Sequence, residues 1–90
     1  MEVMKDEVTC VSEEEMKQVM EWVQMGRAHQ RKTINTRISS YGLKHLIERD
    51  MGTYISNDSC IEAFKRMGFT VKPISRTPNF YFNIGLSKEQ

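Results

Sequence analysis

Met16, Val19, Met20 and Val23 recur at i, i+3, i+4 and i+7, the spacing that gathers apolar side chains on one face of a helix, with Trp22 and Met25 at its margin. Ser12-Glu13-Glu14-Glu15 stands directly before this stripe and reads as a capping box: the Ser12 hydroxyl accepts from the Glu15 amide, and the Glu15 carboxylate reaches back to the Ser12 amide. Val11 and Met16 hold the positions of a hydrophobic staple, and three acids in the first turn suit the positive end of the helix dipole. A first helix is therefore predicted from Ser12. Gly26 weakens it, although residues 27–31 could prolong it. The polar, β-branched run at 32–40 predicts a loop or an extended segment.

Leu43, Leu46, Ile47 and Met51 predict a second helix, capped by Ser39 or Ser40 and ended by Gly52 in the left-handed conformation. After a short link, Ser56, Asn57 and Asp58 are candidate caps for a third helix, whose buried stripe is Cys60, Ile61, Phe64 and Met67, with Gly68 as terminator. Beyond Gly68 the period becomes two. Phe69 and Val71, then Phe80, Phe82 and Ile84, share one face of a β-hairpin, and Arg76-Thr77-Pro78-Asn79 supplies the turn, with Asn79 suited to a left-handed conformation. The fold class predicted is α+β, three helices followed by a C-terminal hairpin. Residues 1–11 are expected to form a flexible arm or short strand, 12–85 a single domain and 86–90 a loose tail.

At 90 residues the chain has room for one core and little apolar area to spare for a deep pocket, which argues against a large-substrate enzyme. The acidic N-terminus and the lack of a long apolar run predict a cytoplasmic protein with no membrane contact. Cys10 and Cys60 stand 50 apart with no metal-type spacing, so two reduced thiols are expected, although pairing stays open. His29 and His45 are not linked to either cysteine by any motif, Glu48 and Asp50 point apart on a helix, and the five glycines are isolated. No catalytic residue, metal or cofactor is predicted.

The formal charge of +1 hides two blocks. Residues 1–21 hold seven acids against Lys5 and Lys17, whereas 22–90 hold eleven basic residues against five acids. Between Gln24 and Ile47 stand Arg27, Arg31, Lys32, Arg37 and Lys44 with no acid. Such a segment attracts a polyanion or an acidic protein face. It reads equally as a solvated connector balanced by the acidic first helix.

Three helices followed by a two-stranded hairpin, the second and third helices joined by a brief connection, resemble the winged helix-turn-helix arrangement over about residues 12–84. That resemblance implies that the third helix enters the DNA major groove and the hairpin forms the wing. Ser59, Lys65 and Arg66 would then face bases or phosphates, and Arg76 would sit at the wing tip. Asp58 and Glu62 on the same helix run against it, because carboxylates facing phosphates are repelled. The runs Ser39-Ser40-Tyr41-Gly42-Leu43-Lys44-His45, Tyr54-Ile55-Ser56-Asn57 and Pro78-Asn79-Phe80-Tyr81-Phe82-Asn83-Ile84 also look like small uncharacterised proteins of phages and mobile elements. This likeness implies a second kind of role, in which a compact phage protein blocks a host machine, as anti-CRISPR proteins do.

Two functions follow as expectations. In the first, Arg27, Arg31, Lys32, Arg37 and Lys44 neutralise phosphates of nucleic acid, DNA before RNA, while Thr33, Asn35, Thr36, Ser39 and Ser40 add neutral hydrogen bonds. Tyr41 and His45 either stack on exposed bases or pack partly buried at a helix start. In the second, the same surface meets a nucleic-acid-handling host complex, with Tyr81, Tyr54 and Arg76 as contacts. A homodimer through Trp22 and Met25 is a further possibility under either.

Overall fold

The computed structural model describes residues 11–87, so the readings of 1–10 as an arm and of 88–90 as a tail lie outside the described residues. Within them the chain is α+β: helix α1 (Glu13–Trp22), a π-helical turn (Val23–Arg27), strand β1 (Ala28–Asn35), helices α2 (Ser40–Met51) and α3 (Asn57–Arg66), and strands β2 (Val71–Pro73) and β3 (Phe80–Leu86). Strand β3 lies between β1 and β2 and is antiparallel to both. Phe82 and Ile84 of β3 face the core shared with the helices.

Strand β1 is the main departure from the sequence pattern. Gly26 adopts φ +89°, the left-handed conformation that L side chains resist, and the chain reverses there instead of prolonging the helix. Ala28 and Gln30 then pair with Leu86 and Ile84, turning the expected hairpin into a three-stranded sheet. In β1 only Ala28 is buried and residues 29–33 are all exposed, so no apolar alternation marked the segment as a strand. Its partner β3 continues to Leu86, and the Ser87 amide donates to the Arg27 carbonyl at 2.8 Å. Leu86 thus belongs to the central strand, and Ser87 is tied to the turn before β1.

The start of α1 is half as expected. The Ser12 hydroxyl accepts from the Glu15 amide at 3.3 Å, but the reciprocal bond does not form. Because α1 packs on α3, the Ser12 amide donates to the Ser59 hydroxyl at 2.8 Å and the Glu15 carboxylate accepts from the Ser56 amide at 3.0 Å. Trp22, expected at the margin of the stripe, is fully buried, and its indole N–H donates to the Asp50 carboxylate at 2.8 Å. A dimer contact through Trp22 is thereby withdrawn. Met25, exposed, still faces solvent.

Met16, Val19 and Trp22 of α1 meet Leu43 and Ile47 of α2, Cys60, Ile61 and Phe64 of α3, and Phe82 and Ile84 of β3 in one core. Phe64 sits at its centre, its ring centroid 4.9 Å from Phe69 and 5.0 Å from Phe82. Cys60 is a free thiol packed in this core, where burial pushes its pKa up and keeps it a thiol.

Two carboxylates staple the turn between α2 and α3. Ser39 caps α2, Gly52 ends it at φ +69°, and Ser56 caps α3. Between the helices the buried Ile55 donates its amide to Glu48 at 3.0 Å, as Ser56 does to Glu15. Burial opposes ionisation of Glu48, but the Ile55 amide and the Lys44 ammonium outweigh it, and the carboxyl lies below its ordinary range. Glu15 is likewise lowered, with burial outweighed by the Ser56 amide and the Ser59 and Ser56 hydroxyls. Groups lowered on folding contribute stability that is complete above the ordinary glutamate value of 4.5 and lost as the pH falls through the folded values. The melting temperature is therefore expected to hold between about pH 7 and 5 and to fall below, with a shallower fall in Glu48→Gln. An equally steep fall in the variant would show that other groups carry the acid sensitivity.

The turn between β2 and β3 places its left-handed residue at Arg76, φ +67°, and not at Asn79. Asn79 is held as part of the strand entry, since its carbonyl accepts from the Ile74 amide at 3.0 Å and its side chain accepts from Asn57 at 3.0 Å. The tight reversal consequently falls two residues before Pro78. Arg76→Gly relieves the left-handed strain but loosens the unfolded chain, so a net gain of up to about 1 kcal/mol in urea unfolding is expected. A loss of stability would show that the Arg76 side chain makes a favourable contact that offsets its backbone.

Candidate nucleic-acid interface

Charge is divided between the layers. The described carboxylates, Glu13, Glu14, Glu15, Glu21, Glu48, Asp50, Asp58 and Glu62, all stand on helices, and the three strands carry none. Arg31, Lys32, Lys72 and Arg76 lie on the strands or the β2–β3 turn and are exposed, as is Arg37 in the connection from β1 to α2. No described carboxylate lies within ion-pair distance of Arg31, Lys32 or Arg37.

A bulge interrupts the pairing of β1 with β3 between Gln30 and Asn35. Gln30 faces Ile84 and Asn35 faces Phe82, so residues 31–34 all stand opposite Asn83. Asn83 is buried and stitches both edges of the sheet: its amide N–H donates to the Arg31 carbonyl at 2.8 Å, and its oxygen accepts from the Thr70 amide at 2.7 Å. The Asn35 side chain closes the far end on the Ile84 carbonyl at 2.9 Å, while its oxygen accepts from the Arg37 amide at 2.9 Å. Two asparagines thus satisfy backbone groups that the bulge would leave unpaired.

Arg31 and His29 converge over Gly85, where a Cβ would run into the imidazole and crowd the Arg31 chain. The Arg31 guanidinium donates to the Thr33 hydroxyl at 3.2 Å. Farther along the same outer face, Lys72 stands opposite Tyr81, which is half-buried. Lys72 was missed by the sequence reading, although alternation along β2 places it on the face opposite the core residue Val71.

Other predicted residues lie elsewhere. Lys44 is buried, with its ammonium 3.0 Å from Glu48, and is not a phosphate contact. Ser59 is fully buried in the cap of α3, bonded to Ser12 and Ser56, and cannot reach a base. Arg66 is exposed but lies 3.1 Å from Glu62 and 3.6 Å from Glu13, which offset its charge. Lys65 is exposed, its ammonium 5.7 Å from the Phe80 ring centroid. Arg27 is half-buried beside Asp50, whose pKa is lowered first by the Trp22 indole and, against burial, by Arg27 and Arg49.

Asp58 and Glu62 border a shallow groove with Val11, Ile61, Lys65, Pro78 and Phe80. The exposed side of α3 is thus flanked by acids from its own sequence and from α1. The acidic first helix lies against α3 and leaves the β1 bulge uncovered.

The runs at 39–45, 54–57 and 78–84 meet in space. The Phe80 amide donates to the Ser40 hydroxyl at 3.1 Å, and the Asn57 side chain donates to Asn79 and to the Pro78 carbonyl. Much of their composition therefore serves the joints between α2, α3 and the hairpin. Tyr41 and Tyr54 are exceptions: they are 52% and 65% exposed, with ring centroids 5.6 and 5.0 Å from the Lys44 ammonium.

No protein-family model matches this chain, and neither a curated protein nor a solved structure matches it.

Proposed function

We propose that this chain is a non-catalytic binding module of winged-helix type that holds nucleic acid by its phosphates, through the strand layer and the β1–α2 connection. The fold assignment is supported by three helices, a short α2–α3 turn and a β2–β3 hairpin in that order, with β1 extending the hairpin into a sheet. The observation that carries the function is the separation of charge: cations without carboxylates on the strands, and every described carboxylate on the helices. Phosphates are attracted to the first surface and repelled where carboxylates gather on α1 and α3. Helix α3 is poorly suited to reading bases, since Asp58 and Glu62 border the groove along it.

Fluorescence anisotropy of a labelled duplex of roughly 20 base pairs, titrated with the protein at low and near-physiological salt, tests this reading. Affinity that falls steeply with salt is expected. No binding at low salt would sink it.

The exposed Tyr41 and Tyr54 favour a second reading, in which the protein blocks a nucleic-acid-handling host complex, since exposed tyrosines are enriched where proteins meet. A stable complex with such a partner, insensitive to salt and formed without duplex binding, would decide for it.

A further inference from the structure

Helix α2 exposes one ridge of unusual composition. Tyr41, His45 and Arg49 follow one another at four-residue spacing, with side chains of His45 and Arg49 51% and 73% exposed, and Arg37 lies before the helix in the connection from β1. At 1.5 Å per residue the helical part of the ridge is roughly 12 Å long. Both acids of this helix are engaged. Glu48 accepts from the Lys44 ammonium and the Ile55 amide and contacts His45 at 3.1 Å, and Asp50 accepts from the Trp22 indole. The ridge therefore offers aromatic rings, and its one cation, Arg49, lies 3.5 Å from Asp50.

Two of the rings are also held in place. Tyr41 meets His45 edge-on at 4.5 Å between centroids, and Tyr41 and Tyr54 border the same ammonium of Lys44. Lys44 is itself buried and paired, so it anchors the rings without offering a free charge. In a chain that buries Trp22, Phe64 and Phe82 completely, these two tyrosines remain in solvent.

We propose that this ridge, with Tyr54 beside it, is a base-stacking strip that makes single-stranded nucleic acid the preferred ligand. This rests on the nucleic-acid reading above and goes further in naming the form bound. Stacking on an aromatic ring needs an unpaired base, whereas a duplex offers this surface only its phosphates. Arg37, at the junction of the ridge with the β1 bulge, carries the phosphate contacts from one surface to the other. The strip is tolerant of base identity, because every base has a π-face.

The test compares labelled oligo(dT) of roughly 20 nucleotides with a duplex of equal length, for the wild type and for Tyr41→Ala, Tyr54→Ala and the corresponding phenylalanine variants. Oligo(dT) is expected to bind more tightly than duplex. Each alanine variant should lose roughly five- to hundred-fold in affinity for oligo(dT), with duplex binding changed less than about two-fold and phenylalanine restoring the loss. Circular dichroism melts establish that the variants fold. Oligo(dT) affinity that is unchanged in both alanine variants, or lost in parallel with duplex affinity, would overturn the strip while leaving phosphate binding intact. Absence of binding to either nucleic acid would overturn both readings.

Discussion

Replacing Arg31, Lys32 and Arg37 together by alanine is expected to lower affinity for duplex DNA by about two orders of magnitude near 0.15 M salt. The same change should flatten the logarithmic salt dependence by nearly three units. Each cation placed on a phosphate releases a counterion from the duplex, and each release contributes a slope of about −0.9. These side chains stand on the bulge and its following connection, exposed and without a described carboxylate in ion-pair range. Their removal should therefore leave folding within about 0.5 kcal/mol of the wild type. Anisotropy titrations at several salt concentrations check both the affinity and the slope. An unchanged slope would remove these residues from the interface. By contrast, alanine at Lys44 should destabilise the fold, because it leaves Glu48 without its cation in the α2–α3 staple.

The largest effect on stability is expected for Phe64→Ala, which should cost about 3–5 kcal/mol in denaturant unfolding. Phe64 is fully buried, and its ring meets Phe69 and Phe82, so it joins α3 to the sheet at the centre of the core. A domain of this size has a total stability on the order of 5–13 kcal/mol, so the variant loses a large share of it and should melt well below the wild type. Phe64→Leu keeps most of the volume and should cost less than about half as much. A loss below about 1 kcal/mol for the alanine variant would show that the helices and the sheet share less packing than their contacts indicate.

The apolar periods of α1, α2 and α3 were legible in the sequence because each helix buries one continuous stripe. Their caps were legible too, since Ser12, Ser39 and Ser56 act within three residues of themselves. The hairpin was visible in the alternation of Phe80, Phe82 and Ile84. Strand β1 was not. It lies at a sheet edge with its middle in solvent, and its pairing with the distant β3 is set by Asn83 and the backbone.

The candidate site divides along the same line. Sequence alone identified the acid-free basic segment and the tyrosines, because charge and residue type are properties of single positions. Tertiary structure decided which of those residues are available. It buried Lys44 and Ser59, paired Arg66 with Glu13 and Glu62, and set the acidic helix against α3. It also set Arg31 and Lys32 in an exposed bulge that Asn35 and the buried Asn83 hold in place. Composition and period are local and survive in the one-dimensional pattern, whereas burial and pairing depend on which distant element arrives opposite, and here α3 and β3 make that choice.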